Sequence, residues 1–342
     1  MWHALYAGMP RSPYPLISLF PYSLIPLFPY SLIPLFPYFL ISLFPYFLIS
    51  LFPYFLIFPI VVILDKIQFS YTKGFPALSD VSARIEPGIH LLAGENGAGK
   101  TTLLRVLSGI VIPSSGRCSV YGSDPGCDIP SERGKTFLIE DNMEFPGKTI
   151  HDFAKMHSRF YPSFSPLLMA ENLKAFGLSG FEPMKNLSYG NKKKTQIAYA
   201  LALGVELLLL DEPTNGLDIE SKAILKSILA RSVNDNQTVV IATHTVADLE
   251  NLFEGAIMMQ GSKLLFAGLE EDVVSRLAFT VTSSPQPGVL YSETNLGKYL
   301  NITEAEGDET RIDWRLFYSA LHSEKRDDIL TVLNSNPPLE ND

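Results

Sequence analysis

The chain has 342 residues, 27 Lys and Arg against 36 Asp and Glu, a net charge of −9, and only two cysteines. That acidic balance argues against a nucleic-acid partner, because neutralising phosphates takes clustered basic side chains. Cys118 and Cys127 are too few for a disulfide framework or a zinc site and read as reduced cytoplasmic thiols.

The charge is unevenly spread. Among residues 1–64 only Arg11 is charged, so the remainder holds 26 of the 27 basic residues and all 36 acids, a net of −10. Tyrosines recur at 6, 14, 22, 30, 38, 46 and 54, and from Tyr14 onward each follows a proline. An eight-residue step rotates the motif about 80° around a helix axis. Prolines this close also break the backbone ladder, at roughly 3 kcal/mol each. They interrupt every window of about 20 apolar residues that a spanning helix requires, and a signal peptide would need a positive start and a far shorter apolar part. Residues 1–63 are therefore expected to be a low-complexity repeat, disordered or carried in by an early start site. A proline-kinked membrane anchor is the alternative.

From Leu64 an α/β texture begins. "KIQFSY" alternates as a strand, "TKGFP" forms a turn and "LSDVSARI" reads as a second strand. "GIHLLAG" is a short apolar strand entering a glycine-rich loop, and "KTTLLRVLSG" has helical spacing up to a capping Gly109. Residues 150–205 read mostly as helix. Within them Lys192, Lys193 and Lys194 are too short a run to make a groove and read as a solvated helix face. "VELLLLDEP" and "QTVVIATH" are continuous in Val, Ile and Leu, the pattern of buried parallel strands. "AIMMQGSKLLFAG" reads as a closing hairpin. The acidic residues 276–342 are expected to form a tail with one short amphipathic helix at "WRLFYSALHSEKRDDILTVL".

"GENGAGKTT", comprising Gly94, Glu95, Asn96, Gly97, Ala98, Gly99, Lys100, Thr101 and Thr102, satisfies the P-loop pattern between a strand and a helix. Such a loop wraps phosphates in backbone amides, and the helix beginning near Lys100 aims its positive end at the same anion. Lys100 is expected to bridge the β- and γ-phosphates of ATP, and Thr101 to offer its hydroxyl to Mg²⁺. "LLLLDEP" ends a buried strand on two carboxylates: Asp211 for the metal and Glu212 to polarise the attacking water. A chance glycine turn or a strand-capping acid pair would explain either motif alone. Their joint occurrence favours a P-loop ATPase.

What lies between and after these motifs narrows the class. "LSYGN" (187–191) resembles the LSGGQ signature of ATP-binding cassette (ABC) ATPases, and "TNGLD" (214–218) resembles the D-loop of that family. "ATH" puts His244 at the family's switch histidine. Tyr71, in "FSY", fits the aromatic that stacks on adenine, a contact worth about 1–3 kcal/mol. Over roughly residues 64–270 the chain is identified as a member of this family, with 64–275 as the ABC domain.

The resemblance implies an α/β fold: a RecA-like P-loop NTPase core, an antiparallel β region carrying Tyr71, and a helical subdomain inserted at roughly 140–200. It also implies a dimer with a second identical or related subunit. Each ATP would lie between one chain's P-loop and the other's signature, where Ser188 and Gly190 meet the γ-phosphate. His244 would hold that phosphate and orient water. Glu140, in "FLIEDN", stands at the Q-loop glutamine and is expected to ligate Mg²⁺ while adding a negative charge. Tyr189 replaces a signature glycine and Asn191 its glutamine. Lysines after such a signature resemble bacterial export-type (ABC-2-like) cassettes. Asp218 is expected to be a dimer-facing acid.

No stretch after residue 64 is long and apolar enough to span a bilayer. The expected function is therefore the ATP-hydrolysing subunit of a transporter whose transmembrane permease is a separate chain. The cassette would sit at the cytoplasmic face and receive a short permease helix near the helical subdomain and the Glu140 loop. The alternatives are a soluble non-transport ABC ATPase or a regulatory ATP-binding subunit. A single motif set without sustained heptads weighs against the first. The joint presence of Lys100, Asp211, Glu212 and His244 weighs against the second.

Overall fold

The computed structural model describes residues 61–127, 130–305 and 310–335. The tyrosine repeat, and with it the expectation for residues 1–60, lies outside the described residues. The first described element is β1, Val62–Phe69, which starts two residues before Leu64, with Val61 and Val62 already buried. It pairs antiparallel with β2, Leu78–Ile85.

Next come β3, Gly88–Gly94, and helix α1, Lys100–Leu107. β4, Ser115–Val120, returns to pair with β1, completing a three-stranded antiparallel sheet in the order β2-β1-β4. The one-turn α2, Pro130–Arg133, leads into β5, Thr136–Ile139. The inserted helices follow: α3, Ile150–His157; α4, Pro166–Ala175; and α5, Tyr189–Ala202. The chain then alternates through β6, Leu207–Asp211, α6, Ile219–Ser232, and β7, Thr238–Ala242. β8, Gly255–Gln260, and β9, Lys263–Leu269, form the expected antiparallel hairpin.

The central sheet has the order β5-β6-β7-β3-β8-β9, and β3 runs parallel to both neighbours. Every residue of β6 and β7 is buried, as their unbroken apolar sequences require of strands covered on both faces. Alternation sorts their side chains: Leu208 and Leu210 join the core under the helices, while Leu207 and Leu209 join the core under the antiparallel sheet. A fully buried leucine contributes roughly 1.5–3 kcal/mol. The two cores thus clamp the strands whose ends carry the site. Cys118 is buried and Cys127 half-buried, both as free thiols.

The C-terminal region is more structured than its sequence suggests. In place of an acidic tail with one short helix there are α7, Glu270–Val274, and β10, Leu277–Thr282, then β11, Tyr291–Asn295, and β12, Lys298–Glu304. They are followed by α8, Trp314–Leu321, and α9, Arg326–Asn334. The strands form a second antiparallel sheet in the order β10-β12-β11. The single helix expected over 314–333 is broken between His322 and Lys325 into α8 and α9. Trp314, Phe317 and Ile302 are fully buried and belong to the same core as the inserted helices. Trp314 and Phe317 of α8 cover the strands from one side, meeting the buried Ile302 of β12 and Leu277 of β10 in that core.

Candidate active site

The phosphate loop lies where β3 hands over to α1. Gly94 ends the strand, Glu95 to Gly99 turn, and Lys100, Thr101 and Thr102 open the helix. Gly99 has φ +102°, the left-handed region that disfavours side chains, and a Cβ there would run into the Ala77 carbonyl oxygen. Lys100 is buried, its Nζ donating to Gly94 O at 2.7 Å and to Glu95 O at 3.1 Å. Its ammonium is thereby held over the mouth of the loop.

Asp211 ends β6 beside this helix. Thr101 Oγ1 donates to Asp211 Oδ2 at 2.7 Å, so the hydroxyl and the carboxylate expected to share a metal do lie together. Burial raises the Asp211 carboxyl above its ordinary value, only partly countered by the Thr101 bond. A hydroxyl and a buried carboxylate are hard oxygen donors, and a divalent cation would offset that burial, so the pair fits Mg²⁺.

Glu212 has the left-handed φ of +48°, rare for a non-glycine residue, and its N–H is tied to Ala242 O at 2.8 Å. The twist turns its carboxylate to His244: Glu212 Oε1 lies 2.9 Å from His244 Nδ1, and the His244 N–H donates to the same oxygen at 3.2 Å. The His244 side chain is 60 % exposed. The structure thus joins in one contact the two residues assigned to orienting water.

Glu140 has a cationic partner that its place in the sequence did not announce: its Oε1 accepts from Arg105 Nε at 2.5 Å. Arg105 also donates through Nη1 to Tyr71 Oη at 3.2 Å. Tyr71 meets Phe69 edge-on, with ring centroids 4.8 Å apart, and remains 58 % exposed, open to a stacking partner.

Ser188 caps α5 by accepting from the Asn191 N–H at 3.3 Å, and Gly190 lies in the first turn of that helix. Asp218 caps α6 by accepting from the Ser221 N–H at 2.7 Å. Among the three lysines the solvated-face reading fails for Lys193, whose side chain is 1 % exposed. Its Nζ donates to Asp141 Oδ1 at 3.1 Å, Asp141 O at 3.2 Å and Asp211 O at 3.4 Å. Lys193, Asp141 and Arg105 were not foreseen at the site. The available signal for Lys193 was its helical phase: it precedes the buried Gln196 and Ile197 by three and four residues.

Residues 78–215 match the family model described as "ABC transporter". The energy-coupling factor transporter ATP-binding protein EcfA of Methanothermobacter thermautotrophicus is 31 % identical over 219 residues, covering 61 % of this chain and 70 % of that protein. The chain belongs to the ABC transporter ATP-binding family. This ABC ATPase is also 30 % identical over 228 residues to EcfA2 of Methanospirillum hungatei, spanning 64 % of itself and 57 % of that relative. It resembles a solved ATP-binding cassette, a dimer in a post-hydrolysis state with ADP and Pi, at 22 % identity and a TM-score of 0.52, over 61 % of this chain and 98 % of that one. At such identity the likeness is one of fold: the RecA-like core, antiparallel sheet and inserted helices of ABC ATPases.

Proposed function

We propose that this ABC ATPase powers a transporter by closing as a dimer around ATP, with the transmembrane permease on a separate chain. The observation that carries the reading is the meeting of two pairs: Thr101 with Asp211, and Glu212 with His244, both beside the Lys100 loop. Lys100 and the amides of residues 95–99 receive the β- and γ-phosphates. Thr101 and Asp211 hold Mg²⁺, which supplies charge neutralisation at those phosphates. Glu212 accepts a proton from the attacking water, and His244, joined to it, orients that water against the γ-phosphate. Tyr71 stacks on adenine. Ser188 and Gly190, at a helix start far in sequence from the P-loop, supply donors to the partner's nucleotide. ATP then holds the dimer together and hydrolysis releases it.

A separate permease and a place at the cytoplasmic face are supported by relatives named as transporter ATP-binding proteins; among the described residues no helix is long and apolar enough to cross a membrane. The lysines after the signature favour export. The test is Mg²⁺-dependent ATP hydrolysis by the full chain. Glu212→Gln should lower kcat by about 10²–10⁴-fold, the usual contribution of a general base, and Lys100→Ala should lose nucleotide affinity. A Glu212→Gln chain turning over at the parental rate would remove Glu212 from this role.

A further inference from the structure

Tyr189 departs from the signature pattern, and phosphate binding gives no account of it. In the structure its hydroxyl donates to Asp141 Oδ1 at 2.9 Å. Lys193, one helical turn on, donates to the same oxygen at 3.1 Å, to Asp141 O at 3.2 Å and to Asp211 O at 3.4 Å. An ammonium has three donors, and these three acceptors use them all. That saturation lets a lysine side chain sit 1 % exposed, where an unpaired ammonium would be strongly disfavoured. Burial, then the Asp141 carboxylate, pushes the Tyr189 hydroxyl up to about 12, so it stays a donor throughout the working range.

The Tyr189 ring has a partner of its own. Gly216, in the 214–218 loop, has φ +74°, and a Cβ there would collide with that ring. The packing therefore ties the signature tip to the loop after β6 as well as to the loop after β5. Asp141, Tyr189 and Lys193 also line one cleft of about 280 Å³.

We propose that Asp141 is a positioning residue of the ATPase cycle: through Tyr189 and Lys193 it locks the signature tip of a chain to the Asp211 end of that chain's own β6. The signature touches the partner's nucleotide and Asp211 serves the chain's own, so the lock makes the two sites respond together. The proposal rests on the nucleotide-sandwich reading above. A buried ion pair that merely stabilised the fold would give Tyr189 no reason to join it, nor direct the third lysine donor to Asp211 O.

The test uses the full chain with Tyr189→Phe, Asp141→Asn, Lys193→Met and the Tyr189→Phe/Asp141→Asn double variant. Three quantities are read: affinity of the undimerised chain for a fluorescent ATP analogue, kcat, and the fraction of dimer formed with Mg–ATP in a Glu212→Gln background. Affinity should stay within about twofold, while kcat and dimer fraction fall about two- to thirtyfold, the span of measured coupling along such networks. The double variant should be no worse than Asp141→Asn alone, because both remove one interaction. Tyr189→Phe keeps the ring on a half-exposed position, so it reports even if Lys193→Met does not fold. Losses that add, affinity that falls as much as kcat, or variants that match the parent would each overturn the lock. If the Glu212→Gln parent itself fails to dimerise, the sandwich reading falls and the lock with it. If the parent dimerises and the variants do so equally, only the lock falls.

Discussion

Arg105 shows how a glutamate is accommodated where the family resemblance places a glutamine. Its guanidinium takes up the extra charge of Glu140 and, with its other arm, steadies the hydroxyl of Tyr71. Both members of the ion pair are one-third exposed, so it adds little to folding, within the 0–1 kcal/mol usual for such pairs. On the proposed reading, its value lies in balancing charge near the bound triphosphate. Arg105→Leu leaves an uncompensated carboxylate and should weaken ATP binding about fivefold or more, the effect of roughly 1 kcal/mol of repulsion. Adding Glu140→Gln should restore affinity, as read by titration with a fluorescent ATP analogue. A double variant as weak as Arg105→Leu would contradict this account. At this scale the sequence foretold which side chains meet where motif spacing fixes residue type, as for Thr101 with Asp211 and Glu212 with His244. Arg105 and Lys193 escaped because long basic side chains look solvated until their direction is known.

At the scale of elements, helix starts do double duty. Ser188 and Asp218, both singled out for a role facing a partner, cap α5 and α6 in their own chain. Substitution of either would cost about 0.5–2 kcal/mol of helix stability in addition to any loss of function. The inserted helices hold a different device. His157, at the end of α3, stacks on Phe153 at 4.8 Å, and its Nδ1 lies 2.8 Å from Tyr199 Oη. Burial lowers its pKa below the ordinary 6.5, as it does for His90. The unfolded chain therefore takes up protons at a higher pH than the folded one. Stability is full above about 6.5 and drains away as pH falls from there towards the lowered folded-state values. The denaturation midpoint of the full chain should drop between pH 7.5 and pH 5.5, and drop less in His157→Phe. A midpoint equally sensitive in parent and variant would exclude His157 as a cause. The buried strands were readable because Val, Ile and Leu fill them. β10, β11 and β12 were not, since polar residues interleave them and their cover comes from α8, downstream.

Over the whole molecule, that cover places the C-terminal elements against the catalytic half. Trp314 Nε1 donates to Phe253 O at 3.5 Å, Arg311 Nη2 donates to Asn251 O at 3.4 Å, and Phe317 meets Phe266 edge-on at 5.1 Å. Burial first, and then the charge of Glu95, raise the Tyr318 hydroxyl of α8 above its ordinary value. The region is thus packed onto the stretch that follows His244. Its order in the sequence hid this, because the contacts join residues about 50 to 60 positions apart. The plan of the core was legible from the order of the P-loop, the signature, the strand ending on Asp211 and Glu212, the D-loop and the switch histidine. The proposed pairing of two chains rests on the separation in sequence of Ser188 from the phosphate loop. The most direct measurement is light scattering of full-length Glu212→Gln with and without Mg–ATP. The account expects twice the single-chain mass with Mg–ATP and the single-chain mass with Mg–ADP. A chain that keeps its single mass under saturating Mg–ATP would contradict it.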